Sequence, residues 1–78
     1  MSEEEQIKKL ENIALSTADT GIQKRVIDTL GTQYDRKAIP AILKIAEKSR
    51  KTEISTPLVE SVYDHAMKTI DKINESKK

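Results

Sequence analysis

The most informative stretch of the sequence is LGTQYDRKAIPAIL, residues 30–43. Its two ends are apolar and its middle is polar, so it joins two segments that each bury a hydrophobic face. Asp35 is a good N-cap for a helix over residues 36–49, and Pro40 falls in or near the first turn of that helix, where a missing N–H is tolerated. The stretch therefore predicts the end of one helix, a short turn and the start of the next.

Apolar residues recur at helical spacing on both sides of this junction. At about 100° per residue they fall on one face of each of four segments. These faces are Ile7, Leu10, Ile13, Ala14 and Ala18; Ile22, Val26, Ile27, Leu30 and Tyr34; Ile39, Ile42, Leu43, Ile45 and Ala46; and Leu58, Val62, Tyr63, Ala66, Met67, Ile70 and Ile73. The alternating pattern of a strand is nowhere convincing. We therefore expect an all-α fold of four antiparallel helices joined by short turns.

Four capping signals predict where these helices begin. They are Ser2 with Glu5, Thr20 with Gln23, Asp35, and Thr56 before Pro57. The first two have the spacing of a capping box, in which two residues satisfy each other's free backbone amides. The last is typical of an N-cap followed by the first helical residue. Residues 50–55 then form the one longer, polar connection.

The four segments form an internal repeat. A shift of 32 residues superposes apolar residues of the first segment on those of the third, and a shift of 40 superposes the second on the fourth. Two ordered matches predict a helical hairpin that occurs twice. We expect one domain over residues 1–78, with repeats at about 3–34 and about 35–74 and a frayed tail at 75–78.

The junction in residues 30–43 resembles the junction between repeats in HEAT-like proteins. Leu30-Gly31 corresponds to the end of a B helix, Asp35 to the turn, and Ala38-Ile39-Pro40 to the start of the next A helix. The spacing of Val62, Ala66, Ile70 and Ile73 is similar to that of a HEAT B helix. The resemblance implies two HEAT-like helical hairpins, arranged as a short right-handed α-solenoid or a compact bundle.

Two features depart from the HEAT-like pattern. The basic residue that usually follows the first apolar position of a B helix is Gln23 in one copy and Tyr63 in the other. The loop between the A and B helices of the second copy is also unusually long. The match is strongest over residues 22–43.

Charged residues on the second and fourth helices predict a binding surface. The resemblance implies that these B helices line the concave face of the array, and curvature of that kind creates extended binding surfaces. The residues opposite the apolar faces are Lys24, Arg25 and Asp28 on the second helix, and Asp64, His65, Lys68 and Lys72 on the fourth. We expect this mixed-charge surface to bind a protein partner, as a non-enzymatic interaction module or small scaffold in the cytoplasm.

The distribution of charge leaves nucleic-acid binding open as an alternative function. Residues 1–20 hold five acids and two bases, a net charge of −3, whereas residues 36–51 hold six bases and one acid, a net charge of +5. A basic third helix and the loop after it would neutralise phosphates. Bases in this region are Lys44, Lys48, Arg50 and Lys51. No aromatic residue interleaves them for base stacking, so protein binding is favoured.

Self-association is a third possibility, because a short repeat array exposes faces that neighbouring repeats would otherwise cover. Leu15 lies beyond the edge of its apolar stripe and suggests such a face on the first helix.

Composition argues against several other classes of protein. The 78 residues include one His and no Cys, which excludes a disulfide framework, a cysteine zinc module and a cysteine enzyme. Ser61 and His65 are one turn apart, but on an exposed helix face they lack the cleft that a nucleophile–base pair needs. We expect no enzyme, metal ion or cofactor. No apolar run approaches the roughly 20 residues of a membrane span, and no secretory signal is recognisable.

Overall fold

A computed structural model describes residues 2–52 and 60–75 of the chain. Within these ranges the helices are α1 (Glu3–Ser16), α2 (Thr20–Tyr34), α3 (Ile39–Thr52) and α4 (Val62–Glu75), with a 3₁₀ turn over Asp35–Ala38. No strand occurs among the described residues. The predicted all-α class is therefore confirmed. None of the helices in these ranges is long and apolar enough to cross a membrane.

The predicted division into four separate helices is not confirmed. The chain stays helical without a break from Thr20 to Thr52, so that α2, the 3₁₀ turn and α3 form one long segment. This segment bends at Asp35, whose φ of 49° lies in the left-handed region. Its ψ of −129° lies outside the αL well that Asp tolerates, so a residue with a side chain is strained there. The described chain thus has three helical segments, and α2 and α3 are the two arms of the middle one.

The starts of the first two helices test the capping predictions. Ser2 Oγ accepts a hydrogen bond from the Glu5 amide at 3.3 Å, so Ser2 caps α1 as predicted. Thr20 does not cap α2, which is a correction. Asp19 Oδ1 accepts hydrogen bonds from the amides of Gly21 at 2.8 Å and Ile22 at 3.3 Å. Asp is a better capping residue than Thr, and Asp19 lies one residue earlier in the sequence.

Gln23, expected to complete that capping box, has a different structural role. Its side chain is buried, and Nε2 donates hydrogen bonds to the carbonyl oxygens of Ala14 at 3.3 Å and Thr17 at 2.9 Å. Carbonyls at the end of a helix have no partner within the helix. Gln23 therefore joins the end of α1 to the start of α2.

The last helix begins later than predicted. Glu60 and Ser61 are not helical, and Ser61 Oγ accepts a hydrogen bond from the Asp64 amide at 3.0 Å. Ser61 is therefore the residue that caps α4. The predicted capping pair Thr56-Pro57 lies outside the described residues, as does Leu58 of the fourth apolar face. At the other end of the connection, α3 continues to Thr52.

The core forms where the two outer helices pack against the bent segment. Both α1 and α4 contact α2 and α3. The largest fully buried apolar side chains are Ile27, Leu30, Ile42, Ile45 and Val62. They come from both arms and from α4, so the bent segment supplies most of the interior.

The exposed apolar residues differ from those expected. Leu15 was expected to face outward, but it is partly buried and packs against the core. The side chains that α1 and α2 do expose are Ile13, at 44%, and Ile22, at 40%. They flank the turn between the two helices.

Gly31 brings α2 and α4 unusually close together. A Cβ atom at this position would lie only 2.6 Å from Thr69 Cγ2. Carbon atoms in ordinary contact are about 3.5–4.0 Å apart, so a larger residue fits only if the Thr69 side chain or a helix moves. This close approach positions the side chains described next.

Candidate functional site

A groove runs along the line where α2 meets α4. It has a volume of about 720 Å³. Four of the seven residues that the sequence predicts for partner binding line it: Asp28, His65, Lys68 and Lys72. The other lining residues are Gly31, Thr32, Asp35, Glu60, Thr69, Asp71, Ile73 and Glu75. Two adjacent helices and the segments at their ends thus bring the predicted charges to one concave surface.

The three remaining predicted residues do not line this groove. Lys24 is half-buried on α2, and Arg25 and Asp64 are exposed. They lie at other positions around the two helices: the shift of 40 residues pairs Lys24 with Asp64, both outside the groove, and Arg25 with His65, which lines it. The structure therefore brings together only part of the predicted surface.

His65 lies between two carboxylates from different parts of the chain. Its Nε2 is 2.7 Å from Asp28 Oδ1 on α2, and its Nδ1 is 2.8 Å from Glu60 Oε1 just before α4. Its side chain is 24% exposed. The contact with Asp28 links α2 directly to α4, so this network holds one end of the groove together.

Glu60 is also bound to a lysine on α4. Lys68 Nζ donates a hydrogen bond to Glu60 Oε2 at 2.6 Å. The hydrogen bonds from Lys68 and then His65 lower the pKa of the Glu60 carboxyl to about 2, against the desolvation that opposes this shift. The same contact raises the pKa of Lys68. Glu60 therefore remains charged well into the acid range.

Sequence reasoning missed Glu60 because it placed the start of α4 too early. A helix beginning at Pro57 would place Glu60 within its first turn, whereas the structure places Glu60 before the cap. The signal was present, because Ser61 and Asp64 have the S-x-x-D spacing of a helix start. That spacing predicts a helix from Val62 and places Glu60 in the connection.

The Ser61–His65 pair does not have the geometry of a nucleophile and its base. The Ser61 hydroxyl accepts the capping hydrogen bond of α4, and both nitrogens of His65 lie against carboxylates. Across residues 2–52 and 60–75, no group of three or more His, Asp or Glu side chains is arranged to hold a metal ion.

The bases proposed for nucleic-acid binding do not line the groove between α2 and α4. Lys44, Lys48, Arg50 and Lys51 are all exposed on α3. The Arg50 guanidinium lies 5.2 Å from the centre of the Tyr63 ring, a cation–π contact between α3 and α4.

The acidic first helix packs beside the basic third one. Lys37 Nζ donates to Glu3 Oε2 at 2.9 Å, and this contact raises the pKa of Lys37. A shallow groove of about 210 Å³ between α1 and α3 is lined by both Glu11 and Lys44. The opposite charges of the two sequence regions are therefore neighbours, and a phosphate backbone along α3 would also approach carboxylates.

Comparison with known proteins gives no match: no family model fits the sequence, and no curated protein or solved structure is similar to it.

Proposed function

We propose that this protein is a non-enzymatic interaction module that binds a segment of a partner protein in the groove between α2 and α4. The observation that carries this proposal is the groove itself, a concavity of about 720 Å³ with charged residues of both signs on its walls. Charged groups of this kind set the orientation and the association rate of a partner. A cytoplasmic location remains a prediction from the sequence.

The packing of the helices supports two stacked, HEAT-like hairpins. In such a stack, α1 and α2 pair within the first hairpin, α3 and α4 pair within the second, and equivalent helices lie side by side. All four of these contacts occur, including α1 with α3 and α2 with α4. Asp28 lies against His65, and Gly31 against Thr69, at nearly equal sequence offsets. Equal offsets indicate that α2 and α4 run in the same direction, as equivalent helices of a stack do.

The character of the groove favours a polypeptide over a small molecule. Small-molecule pockets are mostly apolar and bury nearly all of their ligand. This groove is open and is lined largely by charged and hydroxyl side chains, with Ile73 among its few apolar residues. An extended segment with its own charged side chains suits such a surface better.

The test compares two lysines on opposite sides of the molecule. Lys72 lines the α2–α4 groove, Lys44 lines the α1–α3 groove, and both are exposed. A photocrosslinker at Thr32 captures the partner from host extract, and the purified partner is then titrated against Lys72→Glu and Lys44→Glu. We expect Lys72→Glu to weaken binding on the order of tenfold, about 1.4 kcal/mol, and Lys44→Glu to leave it near the wild-type value.

Two other results would redirect the proposal. Equal loss of affinity in both variants would mean that net charge, rather than the groove, governs binding. If the wild type instead shifts a DNA duplex of random sequence in a gel at low salt, and Lys44→Glu abolishes that shift, the nucleic-acid alternative is favoured. Light scattering at high protein concentration tests self-association directly, and a monomer mass removes it.

A further inference from the structure

The contacts of His65 depend on its protonation state. An ionised carboxylate only accepts hydrogen bonds, and a neutral imidazole carries a single N–H. Both ring nitrogens lie within 2.8 Å of a carboxylate oxygen. Only the imidazolium form, with two N–H groups, donates to Asp28 and Glu60 at once. The arrangement in the structure is therefore that of protonated His65.

The charged groups around His65 come from each element packed near it. Asp28 faces it from α2, Glu60 from the segment before α4, and Asp64 and Lys68 adjoin it on α4 itself. Asp35 of the 3₁₀ turn and Lys72, Asp71 and Glu75 of α4 line the same groove. Helix α3 also packs on α4, where its described charged contact is Arg50 over Tyr63. The groups that contact the ring directly are thus the two carboxylates.

The two carboxylates are not held equally. The Asp28 side chain is 61% exposed, and no other hydrogen bond to it is described. The Glu60 side chain is 33% exposed and also binds Lys68. If His65 keeps only one of the two hydrogen bonds, losing the bond to Asp28 costs less than losing the bond to Glu60, because Asp28 is already largely hydrated.

We propose that His65 is a proton-operated latch between α2 and α4. With the ring protonated, the latch ties Asp28 to α4 and holds that end of the groove closed. When Nε2 releases its proton to solvent, Nδ1 keeps its hydrogen atom and its bond to Glu60, Asp28 is released, and this end of the groove opens. As a means of regulating partner binding, the latch rests on the function proposed above.

The direction of the pH response follows from the number of hydrogen bonds in each state. The protonated state makes two charge-assisted bonds and the neutral state makes one, so acid favours the closed groove. Because the pKa of Glu60 is about 2, this carboxylate stays ionised while the imidazole loses its proton. The latch is therefore closed at lower pH and opens as the pH rises.

A pH titration by NMR of the isolated, ¹⁵N-labelled chain tests the latch. In the wild type we expect the neutral ring to carry its proton on Nδ1, and the amides of residues 28–32 to shift as His65 titrates. In Asp28→Ala, the amide signals of α2 should no longer change with pH, while the signals of the His65 ring still do. Asp71→Ala removes a carboxylate that lines the same groove without contacting His65, and it should behave as the wild type.

A distance measurement tests the opening itself. The chain has no Cys, so spin labels at Arg25→Cys and Asp64→Cys report the separation of α2 and α4 alone. We expect a longer separation at alkaline pH than at acid pH, and no change with pH in the Asp28→Ala background. The latch would be overturned by any of three results: a neutral ring protonated on Nε2, amide signals on α2 that do not change with pH, or a separation that does not change with pH.

Failure of the latch and failure of the proposed function are separable. The NMR and distance measurements use the protein without a partner, so they stand or fall independently of binding. Suppose that the latch works in these measurements while Lys72→Glu leaves the affinity for the purified partner unchanged. That result would keep the latch and exclude the groove as the binding surface.

Discussion

The two sides of the molecule use charge differently. On the α2–α4 side, Gly31 brings the helices into close contact, and a hydrogen-bonded network ties Asp28, His65 and Glu60 together beside a groove of about 720 Å³. On the α1–α3 side, the ion pair is Lys37 with Glu3, whose side chains are 69% and 56% exposed, and the groove is shallow. Exposed pairs contribute little, since water screens them. Charged side chains therefore connect α2 to α4 on the first side and mainly contact water on the second.

The largest effect that tests this contrast is expected at Gly31. In Gly31→Ala the new methyl group meets Thr69 Cγ2 at 2.6 Å. Overpacking of this kind costs about 1–3 kcal/mol, against a gain in helix propensity of up to about 1 kcal/mol. We expect a net loss of stability in urea unfolding, together with changed NMR signals along the groove.

Two further variants decide whether close packing is the cause. Thr69→Ser removes the clashing methyl group and keeps the hydroxyl that donates to the His65 carbonyl, so it should restore most of the stability of Gly31→Ala. Gly21→Ala is the matched glycine, where the methyl group would lie 3.1 Å from the Asp19 carboxylate oxygen that caps α2, rather than against a neighbouring helix. A loss at Gly21 as large as that at Gly31 would contradict a special contact between α2 and α4.

The second expected effect is at the bend that separates the two sides. Asp35 has a φ of 49°, a conformation that glycine adopts without strain. Asp35→Gly should therefore stabilise the protein by about 1 kcal/mol, the strain relieved less the entropy that glycine loses on folding. Asp35→Ala is the control, because alanine keeps the strain. If thermal unfolding shows that alanine stabilises as much as glycine, backbone strain at the bend is not the explanation.

The third effect is a difference in acid stability between two glutamates. The pKa of Glu60 is lowered from 4.5 to about 2, so its contribution is present above pH 4.5 and is lost as the pH falls towards 2. Glu60→Gln should lower the stability at neutral pH and flatten its dependence on pH across that interval. Glu3→Gln leaves Glu60 in place and should keep the dependence. If Glu3→Gln flattens the pH dependence and Glu60→Gln keeps it, the network around His65 does not stabilise the fold.

The smallest effect is expected on the α1–α3 side. Lys37→Ala removes an exposed ion pair, so the urea midpoint should hardly change. Added salt at about 0.5 M, where the screening length falls to a few ångströms, should reduce even this small difference between Lys37→Ala and the wild type. A large loss in Lys37→Ala at low salt would show that charge holds α1 against α3.

The sequence predicts the helical class well because apolar spacing records which face of each helix is buried. It predicts the number of helices less well. Asp35 was expected to separate two helices, but the 3₁₀ turn after it keeps the chain helical through the bend. The cap of α2 was misplaced because Asp19 and Thr20 are adjacent and both are capping residues.

The candidate site was predictable only in part, for a physical reason. Asp28, His65, Lys68 and Lys72 share the groove because helical spacing places them on facing sides of α2 and α4. The pairing of His65 with Glu60 depends instead on where α4 begins, and an apolar pattern does not fix a helix terminus. The tight contact at Gly31 depends on the distance between helices, which no residue pattern within one helix reveals.

The most direct test of the central claim is an NMR titration of the labelled protein with its purified partner. If the groove between α2 and α4 is the binding surface, amide changes will concentrate in residues 28–35 and 60–75, and Lys72→Glu will weaken them. Changes concentrated in residues 36–51, with the groove unaffected, would contradict the claim.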